Sequence, residues 1–154
     1  MEQPAILVTG GCGYIGSHTI VDLLQHGFRV VCLDNNARSG TTLLEGITAI
    51  TGTRVVHECV DLCDYDALRA VFERHQFSGV IHFAAFKAVD ESVREPLLYF
   101  HNNLTSLVNI LRCCEAFAVK DFVFSSSCSV YGNADEIPVK ETTPRKEAES
   151  PYAL

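Results

Sequence analysis

No stretch of this sequence concentrates lysine and arginine: 12 basic residues stand against 19 acidic ones, a net charge of -7 over 154 residues. A nucleic-acid surface needs clustered cations to displace the counterions of the phosphates, so no nucleic-acid partner is expected. Also lacking is any apolar window near the roughly 20 residues of a membrane span, and Met1-Glu2-Gln3-Pro4 does not begin a basic-then-apolar leader. No membrane partner is expected, and the chain reads as soluble and cytoplasmic. The cysteines at 12, 32, 59, 63, 113, 114 and 128 include no C-x-x-C pair, so reduced, mostly buried thiols are the expectation. Zinc held by His57, Cys59 and Cys63 is the alternative, but no second ligand pair at metal spacing follows and no metal is expected. Neither a repeat nor a low-complexity segment occurs.

What is present is an ordinary globular composition, 47% hydrophobic and 20% charged, enough for one domain with a real core. Near its start, the apolar run Ala5-Ile6-Leu7-Val8 leads into Thr9-Gly10-Gly11-Cys12-Gly13-Tyr14-Ile15-Gly16 and then a helical pattern. A glycine-rich turn between a strand and a helix suits the pyrophosphate of a dinucleotide. Gly10 makes the tight turn, Gly13 admits the phosphates to the backbone and Gly16 lets helix and strand approach, while the helix start offers free N–H groups. Three glycines spaced by three also describe a flexible loop, so the flanks must decide. A second strand pattern, Phe28 to Leu33, ends at Asp34, 18 residues past Gly16 and close to the rule of about 20 for the acid that binds the adenosine ribose. Such a carboxylate disfavours a 2′-phosphate, which favours NAD over NADP. Asp34 as a mere turn starter with Asn35 and Asn36 is the alternative.

Strand and helix patterns alternate along the chain. Helices are expected at Ile15 to His26, Thr42 to Ile50, Tyr65 to His75 and Pro96 to Phe117, where Leu104, Leu107, Val108 and Leu111 recur at helical spacing. Further strands are expected at Arg54 to Val60, Gly79 to Ala84 and Asp121 to Phe124. Five apolar strands separated by helices imply an α/β protein with a Rossmann-type, doubly wound parallel sheet covered on both faces. Ligands bind such sheets beyond the carboxyl ends of the strands, which puts Gly10, Asp34, Asp61, Ala84 and Ser127 along one rim. Residues 133 to 150 are polar and punctuated by Pro138 and Pro144, the pattern of a long loop. The expected organisation is a dinucleotide-binding domain over 1–132, then a loop and the start of a further helix over 133–154.

The motifs taken together resemble the UDP-hexose 4-epimerases of the extended short-chain dehydrogenase/reductase family. The likeness runs through the glycine turn to His18, Ile81-His82-Phe83-Ala84, Lys87-Ala88-Val89 with Glu91-Ser92-Val93, Phe124 to Ser127 with Val130-Tyr131-Gly132, and Ser150-Pro151-Tyr152. The resemblance implies NAD as a resident cofactor and a UDP-sugar as substrate. It assigns Gly10, Gly13, Tyr14, Ile15 and Gly16 to the pyrophosphate, Asp34 and Asn35 to the ribose, and Asp61 and Leu62 to the adenine. Phe83, Ala84, Lys87, Asn102 and Ser125 would line the rest of the cofactor site. Ser127 and Tyr152 match the catalytic serine and tyrosine of a reaction that interconverts UDP-glucose and UDP-galactose through a 4-keto sugar. On the residues alone, His82 reads as a satisfied strand histidine, Asn102 as a possible helix brace and Tyr131 as packing. Related sugar-nucleotide dehydratases and decarboxylases place an acid just before Val-Tyr-Gly, where this chain has Cys128 and Ser129, which fits oxidation without elimination.

One departure stands out. The family's pair is Tyr-x-x-x-Lys, and the sequence given stops at Leu154, two residues after Tyr152, so the ammonium that favours the ionised form of such a tyrosine is not within it. Later strands, the helix begun by Tyr152 and the substrate domain lie outside as well. The expectation is a fold cut after about five strands, with catalysis by this chain alone doubtful and a homodimer for a full-length family member. Two readings stay open: the front of such an epimerase, or a non-catalytic NAD-binding or interaction module.

Overall fold

The alternation of side chains along each strand decides which helices cover which face. In β1 (Ala5–Thr9), Ala5 and Leu7 enter one apolar cluster while Ile6 and Val8 enter another. The same split recurs in β2 (Val30–Leu33), with Val31 and Leu33 on one side and Val30 and Cys32 on the other. A sheet apolar on both faces must be covered on both. In the computed structural model, which describes residues 4–154, α1 (Tyr14–Gln25) and α2 (Thr42–Thr51) supply Ile20 and Ile47 to one face. The other face receives Leu68, Val71 and Phe72 from α3 (Tyr65–Arg74), with Ile110, Cys113 and Cys114 from α5 (Pro96–Ala116).

With β3 (Val56–Glu58), β4 (Phe77–His82) and β5 (Asp121–Phe124), the strands pair in parallel in the order β3-β2-β1-β4-β5. This is the doubly wound, Rossmann-type sheet expected from the alternation. Its strand order reverses at β1 and β4, and the crevice beyond their carboxyl ends is where such sheets take ligands. Leu7, Leu33, Leu68 and Ile110 are fully buried, each contributing about 1.5–3 kcal/mol. The edges are leaner: β5 exposes Val123 and Phe124, and β3 exposes Val56.

The described residues form two compact units, 4–84 with Thr105–Ser125 and Ala85–Leu104 with Ser126–Leu154. That division falls elsewhere than at residue 132. The first unit holds the sheet. The second contains α4 (Val89–Arg94), the first part of α5, a 3-10 helix (Cys128–Tyr131) and the polar segment after it. Within it, buried Tyr99 donates through its hydroxyl to Glu91 (2.8 Å) and accepts from the Ala88 N–H (3.0 Å). Asn103 holds Phe86 from both sides, accepting from its N–H at 2.8 Å and donating to its carbonyl at 3.0 Å.

Several bounds differ from the sequence expectation for physical reasons. The second strand begins at Val30 and not Phe28, because the Phe28 N–H is spent on the Leu23 carbonyl in the turn that ends α1 (3.0 Å). At the sheet edge, β3 keeps three residues of the expected seven, pairing only Val56, His57 and Glu58 with β2. The six-residue α4 was not expected: its Val89 and Val93, though at helical spacing, are exposed, and the one residue it buries is Ser92. Tyr152 lies in a single turn closed by the Ala153 N–H on the Ser150 carbonyl (2.9 Å). Of the seven thiols expected to be mostly buried, Cys12, Cys32, Cys113 and Cys114 are, whereas Cys63 is half-buried and Cys59 and Cys128 are exposed.

Candidate functional site

The turn between β1 and α1 is built by crowding. Gly10 has φ +67°, and a Cβ there would lie 2.8 Å from the Ala84 nitrogen at the end of β4. Only glycine combines that backbone with that contact. A Cβ on Gly16 would overlap the Gly10 carbonyl oxygen, and one on Gly11 would come within 2.6 Å of Cys32 Sγ. At Gly13 the only near atom is the Gly10 oxygen, so one side of the turn is open. The turn is fastened by Gly10 N–H to Leu33 (2.8 Å) and Gly13 N–H to Gly10 (3.0 Å). No side chain caps the start of α1, and no acidic residue stands in its first turn. The helix therefore presents its uncapped amides and partial positive charge at the open side. Tyr14 and Ile15 project outward there, 72% and 53% exposed.

Asp34 is drawn to the same turn. Its Oδ2 accepts from the Cys12 N–H (3.1 Å), and its Oδ1 accepts from the Asn36 N–H (2.9 Å) and the Ser39 hydroxyl (3.0 Å). A carboxylate has about four acceptor positions, so roughly one remains for a ligand. Next to it, Asn35 donates to Asp61 Oδ2 (3.1 Å) and accepts from the Ala37 N–H (3.0 Å), joining the ends of β2 and β3. Asn36 Oδ1 is a buried acceptor with no partner among the described residues. Leu62 belongs to the core, so its side chain is not available to a ligand; its carbonyl accepts from Asn109 (2.9 Å). Phe83 and Ala84 are half-buried, their N–H groups directed to the Thr9 carbonyl (3.1 Å) and hydroxyl (3.4 Å). Ser125 is exposed, its N–H donating to the His82 carbonyl (3.1 Å).

Beneath the turn, His82 is 2% exposed and pairs through Nδ1 with the Thr9 hydroxyl at 2.8 Å. Burial lowers its pKa from 6.5 to about 4, so it is neutral near pH 7. That is the satisfied strand histidine the sequence suggested. At the end of β3, burial raises the Glu58 pKa, but hydrogen bonds from Arg74 (2.7 Å) and His75 (2.7 Å) outweigh it and hold the carboxyl below its ordinary value.

The second unit carries the remaining expected residues. Ser127 is half-buried and caps the 3-10 helix, accepting from the Ser129 N–H (3.2 Å), with the two hydroxyls 2.5 Å apart. Tyr152 is half-buried and its N–H donates to Ser92 Oγ at 3.3 Å. Lys87 is exposed, and the Asn102 amide donates to Asn103 (2.9 Å).

The structure thus brings together Gly10 to Gly16, Asp34, Asn35, Asp61 and Ala84 in the first unit, and sets Lys87, Asn102, Ser127 and Tyr152 in the second. Sequence reasoning missed Gly11, Ser39 and the Cys12 N–H as parts of the site. The Gly10-Gly11 doublet was the available signal for the first; Ser39 and Cys12 gave none, because their contacts depend on the path of the chain after β2.

The family profile described as GDP-mannose 4,6 dehydratase matches residues 7–154. UDP-glucose 4-epimerase of Schizosaccharomyces pombe is 46% identical over 156 residues, covering 99% of this chain and 44% of the relative. The Bacillus subtilis UDP-glucose 4-epimerase is 47% identical over 148 residues, covering 96% and 43%. Among solved structures, UDP-glucose 4-epimerase from Bifidobacterium longum in complex with NAD+ and UDP superposes with a TM-score of 0.93 at 40% identity, over 97% of this chain and 44% of that one. The chain spans less than half the length of these relatives.

Proposed function

The chain belongs to the family described as GDP-mannose 4,6 dehydratase, and from that membership we propose that it is the NAD-binding part of a UDP-glucose 4-epimerase. The observation that carries the reading is the turn at Gly10 to Gly16: side chains are sterically barred on its packed side, while its open side meets the uncapped start of α1. Backbone amides of Tyr14, Ile15 and Gly16, with Gly10 shaping the turn and Gly13 keeping its open side clear of a side chain, would hold a pyrophosphate there. Asp34, with roughly one acceptor position left, and Asn35 would take the adenosine ribose; Asp61 and the main chain of Leu62 would flank the adenine. The unpartnered Asn36 oxygen fits a polar ligand at the same place. Phe83, Ala84, Lys87, Asn102 and Ser125 would contribute the rest of the cofactor's surroundings.

NAD, when bound, supplies acceptance and return of a hydride. The chain's own part in turnover is proton and oxygen handling: Tyr152 would take the proton of the sugar's 4-hydroxyl while Ser127 hydrogen-bonds the same oxygen, leading to a 4-keto sugar. The relatives' epimerase name, and not the dehydratase description of the family, matches the residues at hand. Elimination needs an acid or base beyond this pair, and the 3-10 helix presents Cys128 and Ser129, neither a carboxylate. The substrate class is a UDP-hexose, the location cytoplasmic and the assembly a homodimer, for which Leu104, Val108 and Leu111 on α5 stand exposed.

The second reading is NAD binding without turnover. Titration with NAD and an assay with UDP-galactose, both on the gene product that carries these residues, separate the two. Saturable binding with turnover supports the first and binding alone the second; no saturable binding up to millimolar NAD overturns both.

A further inference from the structure

Cys12, Cys32 and His57 converge from the glycine turn, β2 and β3, far apart in sequence and unrelated to any short cysteine spacing. Cys12 Sγ lies 3.8 Å from Cys32 Sγ and 3.7 Å from His57 Nε2, and all three atoms fall within 4.8 Å of one another. They are the one such cluster among the described residues. Zinc bonds of about 2.3 Å to sulfur and 2.05 Å to nitrogen, at tetrahedral angles, require an S···S edge of about 3.8 Å and an S···N edge of about 3.6 Å. The two edges that meet at Cys12 Sγ match these values, and the third, from Cys32 Sγ to His57 Nε2, lies within 4.8 Å. The main-chain oxygen of Asp34 stands 3.2 Å from Nε2, near the N···O edge of about 3.4 Å expected for a fourth ligand.

We propose that Cys12, Cys32 and His57, with the Asp34 carbonyl as fourth donor, form a binding site for a thiolate-preferring divalent cation of the zinc type. Binding exchanges two thiol protons for one Zn2+, with both protons released to water and a neutral imidazole contributing its Nε2 lone pair; the resulting unit carries no net charge, which suits a buried position. Cys12 and Cys32 are buried, while half-exposed His57 lines a surface depression with Thr41, Leu44 and Arg54 that gives solvent access to the imidazole. A bound ion would tie the glycine turn to β2 and β3. None of this depends on the cofactor reading.

The test is titration of the reduced, NAD-free chain with Co2+ and then Zn2+ against a competing chelator. Expected are one equivalent of Co2+ with a thiolate-to-metal charge-transfer band in the near ultraviolet, and its displacement by Zn2+. Cys32→Ala and His57→Gln should each weaken binding at least about 100-fold, and Cys59→Ser should change nothing. Because Cys32 is buried, far-ultraviolet circular dichroism checks its variant; His57→Gln, at a half-exposed position, carries the test if that variant fails to fold. No charge-transfer band at one equivalent, or a band retained in His57→Gln and lost in Cys59→Ser, overturns the proposal.

Discussion

The glycine turn of the first unit and the serine–tyrosine segment of the second are held by different means. Around Gly10, Gly11 and Gly16 a single added carbon collides with backbone or core atoms, and Asp34 is fixed by three hydrogen bonds. Around Ser127 and Tyr152 the described contacts are short-range hydroxyl pairs and single main-chain bonds, in half-buried surroundings. Where backbone amides are to do the binding, side chains must be absent and packing dictates the position. Where a hydroxyl is to do the chemistry, its identity matters and the local fold is nearly indifferent to it. The first region should therefore lose fold and function together under substitution, and the second should lose function alone.

The strongest attempt to break that contrast is Gly16→Val. Its Cβ overlaps the Gly10 carbonyl and would stand within 2.8 Å of the Gly11 Cα, and backbone cannot yield as a flexible side chain can. Denaturant unfolding should show a loss of about 3 kcal/mol or more, and NAD titration should show no saturation. A Gly16→Val chain that binds NAD normally would remove the physical basis for placing the pyrophosphate in this turn.

Acid should also weaken the first region, through His82. Its folded pKa of about 4 lies below the ordinary 6.5, so the unfolded chain binds more protons between those values. The stabilisation is complete above about pH 6.5 and is lost as pH falls through about 4; 2.5 pH units at 1.36 kcal/mol each correspond to about 3 kcal/mol. Urea midpoints measured from pH 7 to pH 4 should follow this slope in the wild type, and a His82→Gln variant should lose that part of it. Equal slopes in both would show that His82 is not the group responsible.

How much of this was legible in the sequence follows the same contrast. β1, the glycine turn and Asp34 could be read because apolar alternation, missing side chains and a strand-end carboxylate each leave a local mark. α4 was hard to read, since the valines it has at helical spacing stay exposed and Ser92 is all it buries, and the meeting of Cys12, Cys32 and His57, which the β1, β2 and β3 pairing produces, left no local mark at all. The alternative of His57 with Cys59 and Cys63, set aside for want of a second ligand pair, rested on proximity in sequence and not across the sheet, and Cys59 is exposed.

Asp34→Asn should have an intermediate effect, because the charge is removed while most of the shape remains. Hydrogen bonds to a charged group contribute about 1.5–3 kcal/mol, so NAD affinity should fall about 10- to 100-fold. The preference for NAD over NADP should narrow, since the carboxylate is what repels a 2′-phosphate. Calorimetric titration with both cofactors measures the two effects in one series; an unchanged preference would detach Asp34 from the ribose.

The smallest structural effect is expected at Ser127→Ala, and it tests the contrast from the other side. The hydroxyl caps a four-residue 3-10 helix through the Ser129 N–H at 3.2 Å, and replacing a cap by alanine costs about 1 kcal/mol. Here the cost should be smaller, because the Ser129 hydroxyl at 2.5 Å offers a local substitute partner. Stability and NAD affinity should stay near wild type, whereas turnover of UDP-galactose, measured on the gene product that carries these residues, should fall about 100-fold or more if the hydroxyl holds the reacting oxygen. A variant that instead unfolds as readily as Gly16→Val would mean that this segment too is set by packing, and the division between a region shaped by its backbone and one defined by its side chains would fail.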